Sequence, residues 1–251
     1  MTQYHLPVPH GEAIPYHLER RSRKTVGLKI SQTGLVVHAP HRISQSQLET
    51  MLISKIGWIQ SKLKAQQENV QPTFEWKDGA SLLLLGNEIT LSVQPDSANR
   101  AVDYSPGLLS IALANPDNHG QIAKKVLQWY RKQAMSDFQR RLEILAAKLG
   151  VATPALFLSN ARARWGSCNS KKEIRLNWRL LQAPPHIINY VVAHELAHLK
   201  EMNHSAKFWA MVEKIYPDYK TAEKELKVWS AKLHRISATS TVAHSAPQSA
   251  N

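Results

Sequence analysis

The sequence predicts an α+β fold, with a β-rich first half and a more helical second half. Two observations predict it. Short alternating apolar runs, separated by turn-forming residues, are concentrated before residue 117. Apolar residues at helical spacing dominate after that point. We therefore divide the chain into a β-rich region with one helix over 1–117, a second domain over 118–235 and a tail over 236–251.

The strands of the first region are predicted in two groups. Three short alternating runs over 14–40 indicate a small antiparallel sheet, with a Gln-Thr-Gly hairpin turn at 32–34. In the second group, a Gly-Asn pair at 86–87 separates two apolar runs and predicts another hairpin. A Ser-Pro-Gly sequence at 105–107 divides the next two runs in the same way.

Helices are predicted where apolar residues recur every three or four positions. One covers 44–68, with Ser44 or Ser46 as its N-cap. A longer one covers 118–149 and ends at Gly150, a typical C-cap residue. No internal repeat is visible in the sequence. The tail is poor in large apolar residues, so we expect it to be disordered.

The composition is that of a globular protein with a large basic excess. Of the 251 residues, 43% are hydrophobic and 20% are charged, and the net charge is +13. Such a charge attracts polyanions, so nucleic acid is a possible partner, although an ordinary basic surface explains the charge equally well. No recognised nucleic-acid-binding motif accompanies it.

The predicted location is the cytoplasm. No apolar run reaches the roughly 20 residues that a membrane-spanning helix needs, so no membrane partner is expected. The N-terminus lacks the basic start and apolar segment of a signal peptide. Cys168 is the only cysteine, which excludes an internal disulfide and a cysteine-rich zinc site.

The strongest chemical signal is the sequence HELAH at 194–198. On a helix, His194 and His198 lie on one face, one turn apart, so both imidazoles can bind one zinc ion. Glu195 is positioned to reach a metal-bound water without being a ligand, as a general base would. The flanking apolar residues predict that this helix is buried, and buried polar side chains need partners such as a metal.

A catalytic zinc site normally has three protein ligands and one open position. His204 is our candidate for the third ligand, with Glu201 or Glu213 as the alternative. On a continuous helix His204 would point away from the other two histidines, so the helix must end before it. Ser205 is a good N-cap for a following helix, which would allow the chain to turn there.

The segment before this helix is predicted to be a β-hairpin with one apolar and one polar face, with its turn over 166–172. Its two arms are predicted over 160–165 and 173–180. The pattern places four arginines together on the polar face, either as a solvated surface or as a clamp for an anionic substrate. These four are Arg162, Arg164, Arg175 and Arg179.

Several sequence blocks together resemble the YgjP-like family of zinc metallopeptidases, which is related to the SprT and WLM proteins. They are RRSRKTVGLKIS, WYRKQA, RARWGSC, IRLNWRL, YVVAHELAHL and NHSAKFW, and they extend over nearly the whole chain. The resemblance implies a zincin-like metallohydrolase domain over 118–235. It also implies zinc ligands at His194, His198 and His204, with Glu195 as the base.

The resemblance supports hydrolysis more directly than any substrate. Our first hypothesis is a zinc-dependent peptidase acting on peptides or proteins, with Zn²⁺ replaceable by another divalent metal. One alternative is a metal-dependent UTP pyrophosphatase, since some relatives are described in that way. The other is a non-enzymatic zinc- or nucleic-acid-binding module, which would explain the charge. Relatives of the broader SprT and WLM type are described as DNA-associated proteases, which would be a variant of the first hypothesis. The candidate substrate-binding residues are Arg162, Arg164, Arg175, Asn177 and Tyr219.

Overall fold

The computed structural model describes residues 2–8, 12–31, 34–68, 74–96 and 102–237. The chain forms two compact units, Met1–Pro72 and Thr73–Asn251. Both units combine sheets and helices, so the predicted α+β class is confirmed. No helix within the described ranges has the length and apolar character needed to span a membrane.

The first unit has a four-stranded sheet in the order β1-β2-β4-β3. The strands are β1 (Thr2–Leu6), β2 (Ile14–Arg21), β3 (Gly27–Ser31) and β4 (Gly34–Pro40). The prediction of an all-antiparallel sheet is wrong, because β2 and β4 pair in parallel. Strand β3 folds back along one edge of β4, which leaves the other edge to β2. Residues 32 and 33 of the predicted turn lie outside the described part of the chain.

Two helices follow where the sequence predicted one. They are α1 (Gln45–Ser54) and α2 (Ile56–Glu68). At Lys55 the backbone leaves helical geometry, and its N–H bonds to the carbonyl of Leu52 over 3.0 Å. Ser44 is the N-cap of α1 and forms a capping box with Gln47. On the apolar face of the two helices, Leu48, Leu52 and Ile59 are buried in the same core as the sheet.

The second unit begins with another four-stranded sheet, in the order β5-β6-β8-β7. Its strands are β5 (Ser81–Leu84), β6 (Asn87–Pro95), β7 (Asp103–Ser105) and β8 (Leu108–Leu113). Both predicted hairpins form. Leu85 and Gly86 make the first turn with φ angles of 50° and 87°, the left-handed region that glycine at the second position accepts readily.

The two four-stranded sheets have the same topology. In each, the second and third strands along the sheet pair in parallel, and both outer strands pair antiparallel. Each sheet is followed in the chain by helix. The sequence showed no internal repeat because side chains differ at equivalent positions, whereas strand order and direction are properties of the fold.

The remainder of the second unit contains one long α-helix, a small sheet, a 3-10 helix and three shorter α-helices. These are α3 (His119–Leu149), β9 (Leu156–Ser159), β10 (Gly166–Cys168), β11 (Ile174–Asn177), a 3-10 helix (Trp178–Gln182), α4 (Pro185–Ala197), α5 (Ala206–Ile215) and α6 (Tyr219–Leu233). Helix α3 matches the predicted segment, with Asn118 as N-cap and Gly150 as left-handed C-cap.

The division between the units does not coincide with the boundary drawn at residue 117. The second sheet belongs with α3, because the Tyr130 hydroxyl donates to the Leu83 carbonyl over 2.7 Å, and the side chains of Leu82 and Leu84 share one core with Tyr130. The boundary at 236 also shifts, since Ile236 is buried and Ser237 accepts a hydrogen bond from Trp76. The rest of the predicted tail, 238–251, lies outside the described residues.

The predicted hairpin is shorter than expected. Strands β10 and β11 pair antiparallel around a turn at 169–173, but residues 160–165 form no strand. The other edge of β11 is occupied by β9, which runs parallel to it. The prediction that four arginines share one polar face is therefore wrong: Arg162 and Arg164 lie on the irregular segment, Arg175 lies on β11, and Arg179 lies in the 3-10 helix.

Candidate metal centre

Helix α4 carries the first two histidines of the candidate site. It begins at a Pro-Pro pair, which suits a helix start, and is buried along most of its length, as predicted. His194 and Glu195 lie in its last turn, and His198 is the residue that ends it. The helix therefore stops where the sequence analysis required, before His204.

The chain then turns back and brings His204 over the helix. Ser205 caps α5 by accepting a hydrogen bond from the backbone of Phe208, so the turn is fixed at its far end. Potential ligand atoms of His194, His198 and His204 all lie within 4.8 Å of one another. Neither Glu201 nor Glu213, the alternative third ligands, belongs to this group.

The geometry of the three histidines fits a divalent metal. Nε2 of His194 and Nε2 of His204 are 3.1 Å apart. Two nitrogens bound to one tetrahedral zinc ion at 2.0–2.1 Å would be separated by about 3.3 Å. His198 uses its Nδ1 toward the carbonyl of Glu201, at 3.1 Å, which leaves Nε2 available as a ligand atom. The donor set therefore suits zinc.

Burial prepares His194 for this role. Burial, together with charge repulsion from His198 and His204, lowers the pKa of His194 to about 4. The imidazole is therefore neutral at physiological pH, the form that binds metals. Its Nδ1 is buried and has no hydrogen-bond partner among the described residues.

An aromatic layer supports the three imidazoles. The Phe208 ring lies 4.6–4.9 Å from all three histidine rings. Trp209 packs on His194 and His204. Because both aromatic residues come from α5, this helix fixes the ring orientations as well as the position of His204.

Glu195 is buried and closely packed against β10. It is 5% exposed, and burial raises the pKa of its carboxyl to about 8, while the charge of Arg164 opposes this effect. Gly166, on β10, faces it. A β-carbon at that position would lie 2.6 Å from Cγ of Glu195 and 2.7 Å from its Cδ. Only glycine leaves room for the carboxylate in its present place.

Gly166→Ala is therefore expected to displace Glu195 while leaving the histidines in place. The strand cannot move away, because Gly166 is paired with Leu176 of β11. We expect bound metal to be retained and the rate of hydrolysis to fall by about 100-fold, as for other angstrom-scale misplacements. Metal content and rate should be measured beside Ser167→Ala, the neighbouring position. Equal rates in the two variants would contradict the packing argument.

The raised pKa of Glu195 predicts a pH-dependent stability in the metal-free protein. Between pH 4.5 and 8 the folded state keeps a proton that the unfolded state has released, so stability falls as pH rises. In the wild type, the free energy of unfolding should fall by on the order of 4 kcal/mol between pH 4.5 and pH 8 because of this group. Glu195→Gln does not titrate and should not show this fall. Urea unfolding of both proteins measures it, and parallel pH curves would contradict it.

Three of the predicted substrate-binding residues have defined surroundings. Arg164 is exposed and is the nearby charge that acts on Glu195. Asn177 is fully buried, and its amide bonds to the backbone of Ala161 and Arg179, so it holds the chain in place and has no contact with solvent. Tyr219 is buried and stacks on Trp209, with ring centroids 5.2 Å apart.

The structure separates the remaining two candidates. Arg162 is exposed and lies near Arg179, whose pKa it lowers. Arg175 lies over the ring of Phe157, with its guanidinium carbon 4.8 Å from the centroid, and forms an ion pair with Glu173. Arg175 is therefore occupied by neighbours on the small sheet.

The sequence analysis missed several residues that shape the site. Tyr190 lies one helical turn before His194 and packs against its ring. That spacing could have identified it, because residues four apart share a helix face. Gly166, Phe208 and Trp209 come from other elements, and no local sequence pattern connects them to the histidines.

Comparison with known proteins places the chain in a family. The model of the YgjP-like family, described as a metallopeptidase domain, matches residues 24–228. The chain is 29% identical over 130 residues to the UTP pyrophosphatase of Escherichia coli (strain K12), which covers 49% of this chain and 78% of that protein.

Two solved structures also show similarity. One is the metallopeptidase zymogen abylysin of Pyrococcus abyssi, with a TM-score of 0.35 and 27% identity. The other is the zymogen jannalysin of Methanocaldococcus jannaschii, with a TM-score of 0.32 and 22% identity. Each match covers 36% of this chain and 92% of the other. Because the family model spans most of the 251 residues, this chain belongs to the YgjP-like family of metallopeptidase-type domains.

Proposed function

We propose that this protein is a zinc-dependent hydrolase in which His194, His198 and His204 hold the metal and Glu195 acts as general base. The observation that carries the proposal is the convergence of three imidazoles, with Nε2 atoms of two of them 3.1 Å apart, beside a buried carboxylate. A purely structural metal site would not require a buried carboxyl group next to it.

The chain's own groups define the proton movements of this mechanism. Bound zinc would lower the pKa of a water molecule toward about 7 and polarise the bond to be cleaved. Beside the positive charge of a bound metal, Glu195 would be ionised in spite of its burial, and it would accept the proton from the attacking water and later pass it to the leaving group. Arg164, the exposed cation acting on Glu195, supplies positive charge beside the oxygen on which negative charge develops.

Peptide-bond hydrolysis is the first candidate reaction, because the family is described as a metallopeptidase domain. Nucleoside triphosphate hydrolysis with release of pyrophosphate is the second. It is favoured by the relative described as a UTP pyrophosphatase, and by Arg164 near Glu195, since guanidinium groups bind phosphate well. Both reactions can use the same metal and the same base.

A substrate panel tests the proposal. The zinc-loaded full chain would be incubated with an unfolded protein and, separately, with nucleoside triphosphates including UTP. New peptide termini in the first arm, or pyrophosphate in the second, would identify the reaction. We expect the activity to disappear with a chelator and to return when zinc is restored. Activity that persists without metal would contradict the proposal.

A further inference from the structure

Four basic side chains of the second unit lie together beside the irregular segment 161–165. Two of them share one aromatic ring: the guanidinium carbons of Arg179 and Arg131 lie 4.5 Å and 5.8 Å from the centroid of Trp178. Arg162 acts electrostatically on Arg179. His234 is the fourth member of the group, and Arg179 and Arg162 act on it electrostatically.

Arg179 is unusual within this group because it is buried without a counterion. It is 7% exposed. One terminal nitrogen donates to Oδ1 of Asn160 over 2.6 Å, while the buried Nε has no hydrogen-bond partner among the residues the structure describes. A guanidinium has five N–H donors, so Arg179 retains capacity for an acceptor.

A second buried arginine shows how this fold treats a structural guanidinium. Arg141 is 8% exposed and pairs with Asp137, with Nε 2.6 Å from a carboxylate oxygen. It also donates to the side chain of Asn189. Within the described ranges, no carboxylate forms an ion pair with Arg131, Arg162 or Arg179. The difference between the two buried arginines is therefore the missing anion.

The electrostatics of the group show the cost of this arrangement. The pKa of Arg179 is lowered by burial and then by the charges of Arg162 and Arg131. The pKa of His234 is lowered by burial and by Arg179 and Arg162. Uncompensated positive charge in a partly buried site is unfavourable, and a bound anion would relieve it.

We propose that Arg131, Arg162 and Arg179 form a binding site for a phosphate group of the substrate. Arg162 and Arg131 are exposed, so the site is open to solvent, while Arg179 forms its floor on the face of Trp178. A multiply charged phosphate matches three guanidinium groups better than a single carboxylate does. This inference rests on the second candidate reaction of the proposed function, nucleoside triphosphate hydrolysis, and its test measures binding and does not require catalysis.

The site lies close to the catalytic carboxylate along the chain. Arg162 and Gly166 are four residues apart, so their α-carbons are separated by at most about 14 Å. Gly166 packs against Glu195, and Arg164 lies between the two positions in sequence. One short backbone segment therefore connects Arg162 with the strand that packs on Glu195.

Equilibrium binding tests the proposal separately from turnover. Titration calorimetry would use the metal-loaded full chain carrying Glu195→Gln, with inorganic pyrophosphate and UTP as probes. Adding both Arg131→Gln and Arg162→Gln to this protein should lower the affinity for each probe by about ten-fold or more, as expected for the loss of charge-assisted hydrogen bonds. Both substituted residues are exposed, so the fold should be unaffected. Arg140→Gln, an exposed arginine on the same helix as Arg131, is the matched control.

Each outcome has a definite meaning. Weakening in the double variant but not in Arg140→Gln supports the site. Equal affinity in all three proteins, or equal loss in the control, overturns it, since the second result means non-specific attraction. A peptide with a free terminal carboxylate that binds as tightly as pyrophosphate would overturn the assignment to phosphate. Failure of the wild-type chain to hydrolyse any substrate would affect the proposed function and leave the binding result intact.

Discussion

Replacing Glu195 with glutamine is expected to lower the rate of hydrolysis by about 10²–10⁴-fold, the usual contribution of a general base. The amide has nearly the same shape as the carboxyl group, so it should fit the space opposite Gly166. It cannot accept the proton from the attacking water. The histidine cluster is unchanged, so zinc content should stay the same. Rate and metal content measured on the same preparation check both parts.

Glu213→Gln is the matched control for this variant. Glu213 is exposed on α5 and lies outside the group of potential ligands. We expect its rate to stay within about two-fold of the wild type, as surface substitutions usually have small effects. Full activity in a metal-loaded Glu195→Gln protein would reject Glu195 as the base. Loss of zinc in that variant would instead indicate that Glu195 contributes to metal binding.

Removing any one of the three clustered histidines is expected to have the second large effect. His194→Ala, His198→Ala and His204→Ala should each weaken zinc binding by more than about 100-fold, the upper end for changes in residues that merely support a ligand. A site with two remaining imidazoles lacks the three protein ligands that zinc enzymes use. Competition with a zinc chelator of known affinity would measure the change, and hydrolysis should be lost in parallel.

His186→Ala provides the control on the same helix. His186 lies near the start of α4 and pairs with Glu225 over 2.6 Å at the surface, so its loss should cost little stability. We expect this variant to keep its zinc. Normal zinc affinity in His204→Ala would show that the third ligand is another residue, and the test would then move to Glu201 and Glu213.

The sequence by itself predicted the features that depend on short-range patterns. The HELAH spacing fixed which faces of α4 carry His194 and Glu195, because helical periodicity is local. Ser44, Gly150 and Ser205 cap helices through bonds to residues only a few positions away. The need for a chain turn before the third histidine also followed from helix geometry.

Tertiary structure decided the features that join distant segments. Alternating side chains over 160–165 predicted a strand, but β10 pairs with β11 instead and the chain after β11 forms a 3-10 helix, so the expected arginine face does not exist. The closeness of Gly166 to Glu195 depends on how β10 packs on α4. The grouping of Arg131 with Arg179 likewise joins α3 to the 3-10 helix. Residue spacing encodes periodicity along one element, whereas contacts between elements depend on the packing of the whole unit, which no single segment specifies.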